Sequence, residues 1–229
     1  MPSAEPLVSA LIPARDCERY VGEAIESALA QTHAAIEVVV VDNASCDGTA
    51  AVVRGFGDRI RLVHEGKRGI GPARNAAIRA ARGVYLAFLD CDDLWQPRKT
   101  EAQLAAFASD PPPDIVLGYA RQFASPDLDP ERAAALRIPK APQPGLYMGT
   151  ALVPRRIVDR VGGWRDDVAV SDSLEWFLAA RRLGLRELML PDVVTLRRVH
   201  DRNHSLLNRD LRKEWARVLK QQIDERRGS

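Results

Sequence analysis

Two short stretches, Leu7 to Ile12 and Ile36 to Val41, are almost continuously apolar and rich in β-branched side chains. A strand with one wet face alternates apolar and polar residues, so uninterrupted runs predict parallel strands covered on both faces. Between them, Val21, Ala24, Ile25, Ala28 and Leu29 fall at helical spacing within Tyr20 to Gln31 and predict a helix with one buried stripe. The alternation recurs. Ile60 to Val63 reads as a strand, the alanine-rich Ile70 to Ala81 as a helix ended near Gly83, and Val84 to Leu89 as a strand. The pattern predicts an α/β fold in a single domain, an open, mostly parallel twisted sheet flanked by helices.

Farther along, Pro97 opens an expected helix through Phe107, Pro111 to Pro113 break it, and Ile115 to Tyr119 reads as strand. Phe123 to Pro144 carries repeated prolines and weak periodicity, the mark of an irregular surface segment. A strand is expected near Leu146 to Val153, a helix over Asp172 to Leu183, short strands around Leu188 and Val194, and a terminal helix after Ser205.

A 46% hydrophobic content supports a substantial core, and 33 basic against 31 acidic side chains leave a net charge of +2. That balance argues against nucleic acid as a partner. Cys17, Cys46 and Cys91 form no C-x-x-C pair and leave an odd thiol, which fits a reducing compartment and hence a cytoplasmic location. No basic start with a signal-length apolar run and no stretch approaching the roughly 20 apolar residues of a membrane span occurs, so a soluble protein is expected.

The strand Val84 to Leu89 runs straight into Asp90, Cys91, Asp92 and Asp93. Period-two alternation sends Asp90 and Asp92 to one side, at the carboxyl end of a strand where open α/β sheets bind ligands. Paired carboxylates there suit a hard divalent cation, with a diphosphate able to complete its shell. An acid at this point could instead cap the helix near Pro97. Val38 to Val41 ends similarly in Asp42 and Asn43. Asp47 beyond them reads as a helix cap, whereas Asp42 has no such local task and could accept hydrogen bonds from a base or a ribose. Gly69 to Asn75 places glycines before a helix but lacks G-x-G-x-x-G and the Walker lysine, which disfavours a dinucleotide dehydrogenase and a P-loop enzyme.

Several segments together resemble a family 2 glycosyltransferase with the type A nucleotide-diphospho-sugar transferase fold. VSALIPARDCERYVGEAIESALAQTH is similar to that family's opening strand and helix, IEVVVVDNASCDGT to its second strand, and GIGPARNAAIRAARGVYLAFLDCDDLWQP to its approach to the D-x-D. MGTALVPRRIVDRVGGW and SDSLEWFLAARRLG resemble its acceptor-side strand and catalytic helix, and RRVHDRNHS its closing arginine and histidine element. The resemblance implies a catalytic domain over 1–205, with a donor half of about 1–95 and an acceptor half of about 96–205. A basic amphipathic helix over 206–229 would follow.

It also implies roles. Pro13, Asp42 and Arg74 would help hold the nucleotide, Asp90 and Asp92 would bracket the diphosphate and a Mn²⁺ or Mg²⁺ ion, and Asp92 would be the direct ligand. His200 would lie near that metal, and Asp172 would be the general base of an inverting single displacement. Trp95, Gly149, Thr150 and Glu175 would fall on the acceptor side, with Trp95 beside the acids as a possible sugar platform. The donor would be a nucleotide diphosphate sugar, most simply a UDP-sugar, and the acceptor a saccharide, lipid, peptide or small molecule. Two departures stand out: Arg15 and Asp16 replace the usual aromatic and asparagine after the first proline, and Ser171 replaces the usual glutamate before Asp172.

Two other classes compete. A sugar-phosphate nucleotidyltransferase would begin with a glycine-rich basic loop where this chain reads Pro13 to Asp16, and a catalytically silent binding module would keep the fold without turnover. The stripe Leu207, Leu211, Trp215 and Val218, surrounded by Arg and Lys, either packs on the domain or lies on an anionic membrane face.

Overall fold

The computed structural model describes residues 5–166 and 172–203. The strands are β1 Val8–Ala14, β2 Ile36–Asp42, β3 Arg61–His64, β4 Tyr85–Phe88, β5 Leu94–Trp95, β6 Ile115–Ala124, β7 Gln143–Pro144, β8 Leu152–Pro154 and β9 Glu187–Val199. The helices are α1 Val21–Leu29, α2 Thr49–Arg54, α3 Ile70–Ala80, α4 Lys99–Ala106, α5 Pro130–Ala135, α6 Arg155–Val161 and α7 Asp172–Arg182. Among the described residues the strands form one sheet in the order β3-β2-β1-β4-β8-β6-β9-β5, with β7 beside β6. The terminal helix expected after Ser205 lies outside the described residues.

The uninterrupted apolar runs have a direct cause. Leu11, Val39 and Val41 pack on one face with α3, α6 and α7, while Val8, Ala10, Ile12, Val38 and Val40 pack on the other with α1. Both faces of β1 and β2 are therefore dry, and each buried Val, Ile or Leu contributes about 1.5–3 kcal/mol. β1, β2, β3 and β4 are mutually parallel, as expected. The second half is mixed: β8 runs antiparallel to both β4 and β6, β5 runs antiparallel to β9, and β6 and β9 are parallel.

Other elements depart from the sequence reading. The two short strands around Leu188 and Val194 are one, β9, because the register slips between Leu117↔Met189 and Tyr119↔Val193. The slip is a bulge that takes Pro191, which cannot donate to a ladder, out of the pairing. Gly118 sits where the chains crowd, since a Cβ there would lie 2.5 Å from the Val194 side chain. The Phe123 to Pro144 segment is more ordered than expected: β6 extends to Ala124, and α5 is capped by Asp129, which accepts from the Glu131 and Arg132 amides. Where a strand was expected from Leu146, a 3-10 turn at Met148–Thr150 precedes β8. α3 ends at Ala80, so Gly83 is no left-handed helix cap; a Cβ there would meet Ser9 N at 2.6 Å, and the glycine instead admits β1.

One buried cation carries a pH-dependent cost. Lys99 is 1% exposed, with Nζ donating to Gln103 Oε1 and the Ala151 carbonyl and lying 4.7 Å from the Trp95 ring centroid. Burial pushes its ammonium down to about 7, whereas an unfolded lysine titrates near ~10.4. Between those values the unfolded chain holds the extra proton, so stability rises with pH by up to about 1.4 kcal/mol per unit. Lys99→Met is expected to flatten that rise, as read from urea midpoints at about pH 7 and 9. Among the described residues no helix is long and apolar enough to cross a membrane.

Candidate active site

The acids lie where β4 ends. Asp93 N–H donates to the Asp90 carbonyl, so the chain turns tightly and keeps three carboxylates within four residues. Asp90 and Asp92 side chains are 38% and 25% exposed, open enough for a ligand, while Asp93 is buried. Protein on most sides desolvates Asp90 despite that opening, which raises its carboxyl above the ordinary range; Arg74 opposes the rise and the Asp92 charge adds to it. Asp93 is pushed well above that range by burial and by its two neighbours' charges. Such a cluster holds more negative charge than it can easily keep, and hard oxygen donors with surplus charge suit a divalent cation. Among the described residues no group of three or more His, Cys, Asp and Glu side chains converges on one point.

Asp92 is oriented from the chain's far end. Its Oδ2 accepts from Asn203 Nδ2 at 3.1 Å and lies 3.0 Å from His200 Nε2. The Arg202 amide donates to His200 Nδ1 at 3.2 Å, so the proton of the neutral ring sits on Nε2 and points at Asp92. His200 thus stands behind Asp92. Direct metal ligation by this histidine would require the ring to release the carboxylate.

Arg198 clasps the same turn. Its Nε donates to the Asp92 carbonyl, its backbone N–H to Asp93 Oδ1, and its Nη2 to Glu23 Oε2 on α1 at 2.7 Å. The buried guanidinium lies between the Tyr20 and Phe123 rings, 4.8 and 4.9 Å from their centroids. One side chain therefore joins β9, α1 and β6 to the acids. Arg198→Ala is expected to cost about 3 kcal/mol, because it strands buried acceptors around the turn; a lowered urea midpoint checks this. Sequence reading passed over Arg198 and Asn203, although both fall within the quoted RRVHDRNHS. A charged residue in an otherwise apolar strand alternation was the available signal.

Arg74 reaches the acids from α3. Its Nη2 is 3.8 Å from Asp90 Oδ1, and its guanidinium lies 5.5 Å from the Trp164 ring and 5.9 Å from the Phe88 ring. Burial lowers it to about 10, against the pull of Asp90, so it stays a cation at neutral pH. Its Nη1 lies 3.5 Å from Ser173 Oγ in the first turn of α7. Trp176 of that helix stacks on Trp164 at 5.7 Å, and its Nε1 donates to the Gly162 carbonyl. These contacts fix the start of α7, at Asp172, beside Arg74 and Asp90. The side chain of Asp172 is outside what the structure describes; Glu175 follows one turn later on α7.

Other expected residues lie apart from this cluster. Pro13 and Asp42 are neighbours across β1 and β2, where Pro13 pairs with Val41 and Ala14 with Asp42. Asp42 does have a local task, contrary to the sequence reading: its Oδ1 accepts from the Ser45 amide, and its Oδ2 lies 3.3 Å from His64 Nδ1. Asn43 is the organiser sequence reading overlooked, donating to the Glu65 and Lys67 carbonyls and accepting from the Gly69 amide. Gly69 takes φ 138°, a conformation that L side chains rarely adopt, at the entrance to α3. Trp95 is 3% exposed with Lys99 over its ring, so its indole is core, with no open face for a sugar. Thr150 is buried, its hydroxyl donating to the Gly145 carbonyl, and the Gly149 carbonyl accepts from Thr195 Oγ1; both lie inside the fold.

The sequence profile of Glycosyl transferase family 2 matches residues 9–162. The chain belongs to this family. A Rickettsia bellii protein described as an uncharacterized glycosyltransferase is 45% identical over 101 residues, 43% of this chain and 15% of its own length. Escherichia coli chondroitin synthase is 39% identical over 108 residues, 46% of this chain and 16% of that one. A putative teichuronic acid biosynthesis glycosyltransferase, TuaG of Bacillus subtilis, is 38% identical over 108 residues, 45% of this chain and 43% of its own. The matches thus span 15% to 43% of these relatives' lengths.

Among solved structures, the fold is similar to the mannosyltransferase PcManGT of Pyrobaculum calidifontis in complex with GDP-Man and Mn²⁺. The TM-score is 0.67 at 27% identity, over 90% of this chain and 61% of that one. S. aureus TarS in complex with UDP superposes with a TM-score of 0.65 at 20% identity, over 84% of this chain and 60% of that one, a likeness of fold. The type A glycosyltransferase architecture expected from the sequence is the one observed.

Proposed function

We propose that this family 2 chain is an inverting glycosyltransferase that moves a sugar from a nucleotide diphosphate sugar to an acceptor hydroxyl with the help of a divalent cation. The observation that carries the reading is the meeting of the acid turn, Arg74 and the first turn of α7 at one sheet end. In this reading Pro13 and Asp42, two strands away, border the nucleotide, and Arg74 supports the diphosphate side through Asp90. The family relation and the Mn²⁺ complex of PcManGT support this assignment of parts.

Breaking the anomeric bond places growing negative charge on the diphosphate, and catalysis requires fixed positive charge there. Asp90 and Asp92 would hold the Mn²⁺ or Mg²⁺ ion, which when bound supplies that charge. These two carboxylates would supply only part of the ion's oxygen ligands. His200 and Asn203 keep Asp92 pointed while the load on it changes. The acceptor hydroxyl must lose its proton as it attacks from the face opposite the leaving group. Asp172, opening α7 beside Arg74, would take that proton in one displacement that inverts the anomeric centre. Glu175, one turn on, lies on the same helix as a neighbouring carboxylate.

The acceptor is a saccharide, lipid, peptide or small molecule, and the apolar stripe with its flanking cations over 206–229 is the segment through which a membrane-held acceptor would be approached. A panel of UDP- and GDP-sugars with Mn²⁺, followed by nucleoside diphosphate release, tests class and donor together. Release of pyrophosphate from a nucleoside triphosphate would point to the nucleotidyltransferase instead, and silence with every donor to a binding module.

A further inference from the structure

Tyr147 carries a phenol that feels the charges of the acid turn and has no hydrogen-bond partner among the described residues. Its oxygen is inaccessible to solvent and makes no hydrogen bond there. The residue begins the 3-10 turn that leads into β8, and this turn is firmly held. The Thr150 amide donates to the Tyr147 carbonyl at 3.1 Å, and Thr195 Oγ1 donates to the Gly149 carbonyl at 2.8 Å. A Cβ on Gly149 would fall 2.6 Å from the Tyr147 ring, so the glycine leaves room for that ring.

The topology tells which side of the acids the phenol occupies. β8 runs antiparallel to β4, with Leu152 opposite Ala87, so the chain enters β8 at the carboxyl end of β4, next to Asp90. β1 and β2, which carry Pro13 and Asp42, lie on β4's opposite edge. The acids therefore stand between the nucleotide side and Tyr147. Burial and the charges of Asp93, Asp90 and Asp92 push its hydroxyl well above the ordinary phenol value, with Arg197 opposing, so it remains a hydrogen-bond donor. Of the other buried side-chain donors without partners, the Trp95 and Trp164 indoles lie in the core, packed on Lys99 and Trp176.

A buried donor left unmade is costly, and it is retained where a ligand supplies the acceptor. We propose that the Tyr147 hydroxyl donates to an oxygen of the donor's sugar, held on the side of Asp90 and Asp92 away from the nucleotide, and thereby helps select which sugar is accepted. The inference rests on the nucleotide-sugar reading above. It makes Tyr147 a specificity-determining residue, because a site built to meet a hydroxyl rejects sugars that cannot offer one there.

The test is calorimetry with Mn²⁺ on wild type and Tyr147→Phe, using UDP, UDP-GlcNAc, GDP and GDP-mannose. For whichever pair binds, Tyr147→Phe is expected to weaken the sugar nucleotide about fivefold to tenfold and to leave the bare diphosphate within twofold. The melting temperature of the ligand-free variant should hold or rise, since the substitution removes an unpaired donor and keeps the ring. Equal affinities in variant and wild type would overturn the inference. Equal weakening of diphosphate and sugar nucleotide would also overturn it, by assigning the hydroxyl to phosphate. A fall in melting temperature with no change in the sugar contrast would make Tyr147 structural. Wild type that binds none of the four would sink the nucleotide-sugar reading itself, an outcome distinct from all of these.

Discussion

Asp172→Asn is expected to lower the transfer rate by about 10²–10⁴-fold, the usual worth of a general base, while donor affinity stays within about twofold. The amide matches the carboxylate in shape, so the helix start and the contact of Ser173 with Arg74 should survive. What it cannot do is accept a proton at neutral pH. Single-turnover transfer together with calorimetric donor binding separates the two effects. A variant that turned over at the wild-type rate would remove Asp172 from the mechanism. One that lost donor binding as well would make it part of the donor pocket. Ser171 adds interest to this measurement, because the family resemblance of this segment implies a second carboxylate where the chain has a hydroxyl.

Asp92→Ala is expected to abolish the gain in donor affinity that Mn²⁺ provides, a loss of about 10²-fold or more at saturating metal, with metal-free binding much less affected. The carboxylate is the point at which His200 and Asn203 converge, and its removal leaves both without their shared acceptor. Titrations of UDP-sugar with and without Mn²⁺ give the contrast directly. Equal metal dependence in variant and wild type would show that the ion, if used, is held elsewhere. Since the carboxylates at 90, 92 and 93 repel one another, deleting one relieves repulsion in the ligand-free turn and offsets part of the cost of stranding the buried His200 and Asn203 donors. A loss of metal-dependent binding far larger than the change in urea midpoint is therefore the expected signature.

The parallel half of the fold was legible because local chemistry and tertiary role coincide there. β1 and β2 are buried on both faces, so they had to be apolar throughout, and α1 had to carry its stripe at helical spacing. β9 was misread for the opposite reason. Pro191 breaks a ladder locally, and only the pairing with β6 shows that a bulge absorbs it. Trp95 stands beside the acids in sequence, yet its side chain points into the core under Lys99. Adjacency along the chain says little about facing once a turn intervenes. Asp42 likewise gained partners, Ser45 and His64, of which the His64 ring arrives from a neighbouring strand.

The sequence alone determined that a strand ends in clustered acids within an α/β domain, since hydrophobic periodicity is a property of the chain and carboxylates at a strand exit have no dry place to go. It also contained, through resemblance, the family that the profile match establishes. Only the tertiary structure decided what surrounds those acids. Arg198, His200 and Asn203 arrive from more than a hundred residues away, Arg74 brings the start of α7 alongside, and the Tyr147 hydroxyl, without a partner among the described residues, sits within the field of the same acids. Such contacts are set by sheet order and strand direction, which follow from the competition of whole elements for burial, and no local pattern encodes that competition.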